Sequence, residues 1–431
     1  MELLERYFEL SKRGSTVGRE LRGAVATFLT MAYILFVNPT ILSAAGVPFA
    51  GAVACTALAA GVCCILMGVV ANFPIALASG MGLNAIVAFQ IAKAAGTWQA
   101  AMGIIILDGI ITTLLVLSGL RESIMHAIPR DLRLAIGAGI GLFIAFIGLR
   151  NAGLVVGHPE TFVTYGSLKS PATAVAGVGL LLTAALMARR VSGAIVIGIF
   201  VSTAIALALG ISKLPDHFAA PTFAGVAFQA DIRAALQWKL MPLLFAVIMV
   251  DFFDTLGTAT AVAEEAKLID DRGRIPGVRR ILLIDSLSAS IGGLLGASSV
   301  TSYIESAAGV AEGARTGLHS VFVGLFFLIA IIAAPLAGVV PPAATAPALI
   351  LVGFLMISQM ARIDFDDLQT AIPAFIVLLT IPLTYSIAHG IGYGFITYVM
   401  MKLLSGRPRD AHLLMYITAA AFLAYFIWGT G

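Results

Sequence analysis

The chain is a succession of apolar segments, each near the length needed to cross a bilayer as a helix, and this limits the fold more than any motif does. The segments run over 22–45, 50–71, 76–93, 99–120, 132–151, 172–188, 192–210, 240–263, 279–296, 300–312, 318–337, 343–360, 367–385 and 388–404. A further apolar stretch covers 411–429. Of the 431 residues, 60% are hydrophobic and 11% charged, which excludes an ordinary soluble domain. No segment alternates with the two-residue period of a barrel strand, so the spans are helices. Several are short, and tilted or broken elements are expected among them.

Charge sets the orientation. With the N-terminus in the cytoplasm, twenty of the 26 Lys and Arg fall on the cytoplasmic side, and the reverse topology would invert the count. The bias supports 14 spans and leaves 411–429 as either a fifteenth crossing or a helix lying in the interface. The first seven spans end near residue 210, and the polar-flecked loop 211–239 precedes the second seven. Seven is odd, so the second half starts on the opposite side of the membrane and is inverted. One integrated membrane domain over 1–431 follows.

The first 22 residues are charged and lack the apolar core of a signal peptide. Cys55, Cys63 and Cys64 share one apolar run and read as small buried side chains rather than a disulfide set or metal site. No zinc-spaced His/Cys set, phosphate-binding glycine loop or nucleophile–base pair is evident. The expectation is therefore no metal, no enzyme chemistry and no nucleic-acid partner.

Two interruptions break the apolar pattern at matching places in the two halves: Ala78–Ala85 (ASGMGLNA) and Ala297–Ser306 (ASSVTSYIES). Paired breaks of this kind mark the substrate site of a carrier built from inverted repeats. Each opens a half-helix whose N-terminal N–H groups are free, and unpaired backbone is tolerated at membrane depth only where it is buried or lines a cavity. Asn84 and Glu305 are expected at corresponding places in these half-helices. In the eighth span, Asp251 and Asp254 are three residues apart and share a helix face with Thr255 and Thr258. Carboxylates in an apolar helix need donors, a cation or a proton, so the pair suits substrate or proton work. The plainer alternative is that one of them braces a neighbouring broken helix.

Backbone N–H groups and Asn84 as donors, with Glu305 and the aspartates as acceptors, match a planar heterocycle carrying N–H beside C=O or ring nitrogen. Tyr303 or Phe253 could cover its flat face. For Asn84 the alternative is a helix N-cap, and for Tyr303 it is packing. Asp108 and Asp285 are lone membrane carboxylates, read as braces rather than substrate contacts. Glu264 and Glu265 read as a solvated cluster beside Lys267 and Arg272. Asn38-Pro39-Thr40 is expected to kink the first span near the pocket, and His389 carries no assigned role.

Four runs make the chain familiar: Asp251–Thr258 (DFFDTLGT), Thr301–Gly317 (TSYIESAAGVAEGARTG), Ser79–Ala85 (SGMGLNA) and Thr345–Gly353 (TAPALILVG). They resemble the AzgA-like adenine/guanine/hypoxanthine permease branch of the nucleobase–ascorbate transporter superfamily, from Glu5-Arg6-Tyr7-Phe8 to about Gly406. The resemblance implies an all-α polytopic fold of 14 spans as 7+7 inverted repeats, with short antiparallel strands in broken spans 3 and 10. It implies a core domain of spans 1–4 and 8–11 (about 15–120 and 240–337) and a gate domain of spans 5–7 and 12–14 (about 130–210 and 343–404). The helix at 411–429 is then an addition.

The resemblance further implies uptake of a purine base with protons across the cytoplasmic membrane by alternating access. It also implies a homodimer in membrane lipid, with the proton as coupling ion and no other cofactor. Its binding set is similar to Gly82, Asn84, Asp251, Asp254 and Glu305, to which the second break adds Thr301 and Tyr303. Proton-coupling candidates are Asp251, Asp254, Glu305 and Asp285. Uracil or xanthine carriage is the alternative. Uracil permeases carry Glu and His on the eighth span where Asp251 and Thr255 stand here, which favours a purine. An anion carrier of the same fold would want a cation where Glu305 stands. An intramembrane enzyme using Asp251 and Asp254 gives the paired breaks no role.

Overall fold

A computed structural model describes residues 2–119, 128–214, 220–269, 275 and 277–428. All fourteen apolar segments appear as elements, numbered here as spans 1–14. The first half holds Val17–Ser43, Phe49–Ala71, a third span made of strand Leu77–Ser79 and helix Met81–Ala95, then Trp98–Ser118, Arg130–Asn151, Pro171–Ala188 and Ala194–Ala208. The second half holds Met241–Glu265, Val278–Leu294 and a tenth span made of strand Val300–Ser302 and helix Ser306–Ala311. Gly317–Val339, Pro342–Arg362, Leu368–Thr384 and Ile387–Leu404 complete it. Large apolar side chains such as Leu181, Ile332 and Leu383 are exposed, as a lipid-facing surface requires.

The breaks have local causes. Asn72 ends span 2 in the left-handed region (φ 47°) and Pro74, which has no N–H, cannot resume the helix. After span 9, Gly296 (φ 71°) and Ser298 (φ 68°) turn the chain in the same way. The strands that follow pair antiparallel, Leu77 opposite Ser302, Ala78 opposite Thr301 and Ser79 opposite Val300. Each half thus supplies one strand of a single ladder. A second ladder, Val155–His158 with Phe162–Tyr165, lies between spans 5 and 6.

Span 1 begins at Val17 rather than residue 22. Its first turn holds Glu20, a buried carboxylate that accepts the N–H groups of Arg315 (2.9 Å), Thr316 (3.4 Å) and His319 (3.2 Å) at the head of span 11. A charge this close to the end of an apolar run reads as loop; burial becomes tolerable only because another helix start supplies donors. The joint in span 1 falls at Ala32–Tyr33, between helices Val17–Met31 and Ile34–Ser43. Pro39 lies inside the second of these, and the joint precedes the Leu35 carbonyl that it leaves without a helical donor.

Helices approach closely where side chains vanish. A Cβ on Gly141 of span 5 would lie 2.7 Å from the Gly353 carbonyl of span 12, and one on Gly324 of span 11 would lie 2.6 Å from that of Gly61 in span 2. The C-terminal apolar stretch is a helix, Leu413–Trp428. Its Phe422 packs against Phe245 of span 8 and Phe395 of span 14, with ring centroids 5.9 and 6.1 Å apart.

Candidate functional site

A two-stranded ladder leaves outward-facing backbone groups that no third strand pairs, and at this depth water cannot satisfy them. Side chains do so instead. Within the ladder, Gly80 N–H donates to Ser299 O (2.8 Å) and Tyr303 N–H to Ala76 O (2.9 Å). On the outer edges, Cys64 Sγ accepts from Leu77 N–H (3.0 Å) and donates to Leu77 O (3.1 Å). Tyr303 Oη donates to Ser79 O at 2.5 Å, and Ser306 Oγ accepts the Ala76 N–H at 2.9 Å. Cys64 is thus more than a small buried side chain.

Each strand is also clamped by side chains of the two spans before it. In the first half, Asn38 of span 1 donates through Nδ2 to Thr56 Oγ1 of span 2 (2.8 Å), Ser79 Oγ (3.1 Å) and Ala297 O (3.1 Å). In the second, Asp285 of span 9 accepts from Ser302 N–H (3.0 Å), Ser302 Oγ (2.8 Å) and Thr255 Oγ1 of span 8. Asp285 therefore braces a broken span. Asn38 reaches the first strand and the turn that precedes the second, with a definite set of acceptors.

Around this frame the expected residues take different stations. Gly80 is the N-cap of helix Met81–Ala95, so Asn84 is not; it lies in the first turn, with its N–H on Gly80 O (2.8 Å). Asn84 is fully buried, its Nδ2 is 3.5 Å from Ser79 O, and its Oδ1 has no hydrogen-bond partner among the described residues. Glu305 is itself the N-cap of Ser306–Ala311, yet makes no side-chain capping bond. Counted from the strands, Gly82 and not Asn84 is its counterpart in the other repeat. A Cβ on Gly82 would come 2.8 Å from Ile140 Cγ2 of span 5.

Thr301 is a buried ladder residue opposite Ala78, and the Tyr303 hydroxyl is committed to the ladder. Asp251 is fully buried one turn before Thr255, whose Oγ1 lies 3.2 Å from Asp251 O. The side chains of Asp254 and Phe253, and residue Arg272, lie outside the described residues. Asp108 is buried in span 4 with Thr112 Oγ1 at 3.5 Å from Oδ1, while Glu264 and Glu265 are exposed.

Sequence reasoning passes over Tyr33, a buried aromatic in an apolar span, whose hydroxyl donates to Glu305 Oε1 at 2.7 Å. It also passes over Gln90, whose Oε1 accepts from Ser386 Oγ and Ala388 N–H, both at 3.2 Å, joining span 3 to the corner between spans 13 and 14. His389 belongs to the same corner: Nδ1 is 2.5 Å from Ser386 Oγ and the ring stacks on Phe426, centroids 5.3 Å apart.

Two half-crossings from opposite repeats, joined by a buried ladder and ringed by membrane carboxylates, define a multi-pass solute carrier. The profile of the Permease family matches residues 18–393, and the chain belongs to that family. It is 41% identical over 421 residues to the adenine permease AdeQ of Escherichia coli (strain K12), covering 97% of this chain and 95% of that one. It is 41% identical over 441 residues to the guanine/hypoxanthine permease PbuG of Bacillus subtilis (strain 168), covering 99% and 100%. Among solved structures, the transmembrane domain of the cyanobacterial bicarbonate transporter BicA is similar with a TM-score of 0.64 at 16% identity, over 87% of this chain and 96% of that one. The fold is that of 7+7 inverted repeats, and the chain is a transporter rather than an enzyme.

Proposed function

We propose that the chain takes up purine nucleobases (hypoxanthine, guanine or adenine) in symport with protons across the cytoplasmic membrane, with its N-terminus on the cytoplasmic side. The carrying observation is the polar set gathered at the ladder: Glu305 held by one oxygen, and the orphan Oδ1 of buried Asn84. A buried acceptor without a partner is costly unless a ligand supplies the donor. Purines present N–H beside C=O or ring nitrogen along one flat edge, which complements such a set. The relatives named for adenine and for guanine/hypoxanthine support the same guest. Uracil or xanthine is the second reading, which the Asp251 and Thr255 pair disfavours. The likeness to BicA concerns the fold, and an acidic Glu305 at the half-helix start speaks against an anion as cargo.

In this reading Glu305 accepts N–H from one edge of the base, Asp251 orients the other, and Gly82, Asn84, Thr301 and Tyr303 complete the pocket with Asp254. Asp251, Asp254 and Glu305 are the proton candidates, because a charged, unpaired carboxylate is costly in a closed core and a proton removes that cost. Asp285 is a weaker candidate, since three donors already occupy it. The core (about 15–120 and 240–337) moves against the gate (about 130–210 and 343–404), and the carrier works as a homodimer. Uptake of labelled hypoxanthine by cells lacking their own purine carriers tests this: it should collapse with an uncoupler and be competed by unlabelled purines. Uptake that persists without a proton gradient removes the coupling, and competition by uracil but not purines removes the substrate.

A further inference from the structure

We propose that Tyr33 is a positioning residue that sets how Glu305 meets its ligand, and thereby which purine edge is preferred; this rests on the purine reading above. Tyr33 is 1% exposed and stands at the joint of span 1, between its two helices. Its hydroxyl lies 2.7 Å from Glu305 Oε1. A carboxylate only accepts and a phenol has one proton to give, so the ionised pair has one polarity. No capping bond holds Glu305 to its own half-helix, so span 1 fixes the carboxylate instead.

The Tyr33 hydroxyl therefore occupies Oε1, and the carboxylate's remaining acceptor positions are what a ligand can meet. Glu305 is half-buried, and the neighbouring Ile304 is 49% exposed, so this stretch borders open space. Hypoxanthine offers a single N–H beside its carbonyl and needs one oxygen. Guanine offers two adjacent N–H donors and matches both, so it has to share Oε1 with the Tyr33 hydroxyl. The hydroxyl thus favours the single-donor edge by fixing the carboxylate, and handicaps the double-donor edge by occupying it. If Tyr33 merely used Glu305 to satisfy a buried phenol, its removal would affect every ligand alike.

The test is competition by unlabelled hypoxanthine and guanine against labelled hypoxanthine, in the wild type and in Tyr33→Phe. Loss of a hydrogen bond to a charged group weakens hypoxanthine by about tenfold. Guanine weakens less, so the guanine-to-hypoxanthine ratio of inhibition constants falls by roughly threefold or more. An unchanged ratio, whether both constants move together or neither moves, overturns the proposal. A ratio of two ligands on one membrane preparation is independent of how much protein is made. In a Glu305→Asp background the carboxylate is retracted by one methylene, and adding Tyr33→Phe should leave the ratio alone; a ratio that still moves shows that Tyr33 does not act through Glu305. Wild-type uptake that no purine competes would overturn the purine reading itself, a result visible before any variant is made.

Discussion

Asn38 and Asp285 sit in surroundings of opposite hydrogen-bond polarity, although they do the same job. Around Asn38 the Ala297 carbonyl can only accept, and the hydroxyl protons of Thr56 and Ser79 are committed to Ala52 O and Ala297 O, both at 2.6 Å. Asn38→Asp would place a carboxylate against acceptors and cost about 3 kcal/mol or more. Around Asp285 the partners donate. Asp285→Asn keeps one oxygen for Ser302, and Thr255 retains Asp251 O as an acceptor, so the cost is about 1–2 kcal/mol. Unfolding of the purified variants in detergent should rank Asn38→Asp as the less stable, and the opposite order would contradict these donor assignments. Glu305→Gln should do the reverse of both: purine binding weakens by about 10–100-fold while the melting temperature stays near wild type. Equal binding losses in Glu305→Gln and Asp285→Asn would erase the distinction between ligand contact and brace. Tyr33 is invisible in the sequence because a tyrosine inside an apolar run is indistinguishable from packing; only the position of its oxygen gives it a role.

At the scale of elements, the spans are legible because bilayer thickness sets a length and an apolar composition that any window of sequence reveals. The two breaks are legible too, since hydroxyl-rich and glycine-rich runs interrupt that composition. What the residues alone cannot supply is that the breaks bond to each other, or in which register, because strands of three residues carry no usable periodicity. The ladder's dependence on side chains yields a sharp expectation. Cys64→Val removes the partner of both Leu77 backbone groups and should destabilise the protein by about 1–3 kcal/mol per unpaired group. Cys55→Ala, at a buried thiol of the same span with no hydrogen bond to either strand among the described residues, serves as the comparison. Similar losses in the two variants would mean that the thiol of Cys64 is only filling space.

Across the molecule, the Gln90 contact with Ser386 and Ala388 and the cluster of Phe89, Phe143 and Tyr385 (ring centroids 4.9–6.3 Å apart) close one side of span 3. Toward the other end, Gly257, Thr260 and Glu264 of span 8 are exposed at helical spacing, with Ile304 and Ala311 of span 10. Aromatic packing thus covers one side of span 3, whereas these positions of spans 8 and 10 are exposed. Because Cys55, Cys63 and Cys64 are all buried, introduced cysteines can report on this. Thr260→Cys should react with a soluble thiol reagent and Ala388→Cys should not, while Gln90→Ala should shift the balance toward the second. A Gln90→Ala variant with unaltered labelling would leave that amide without a part in alternating access.

The shared ladder also has a consequence for how the protein is made. Ser79 and Tyr303, joined by a single hydrogen bond, are 224 residues apart. At a synthesis rate of about 5–20 residues per second, the first strand leaves the ribosome roughly 10–45 s before its partner exists. Throughout that interval a stretch of unpaired backbone waits at the translocon with no edge to join. The newborn first half is therefore an unfinished insertion intermediate, and the insertion machinery must shelter it until the tenth span arrives.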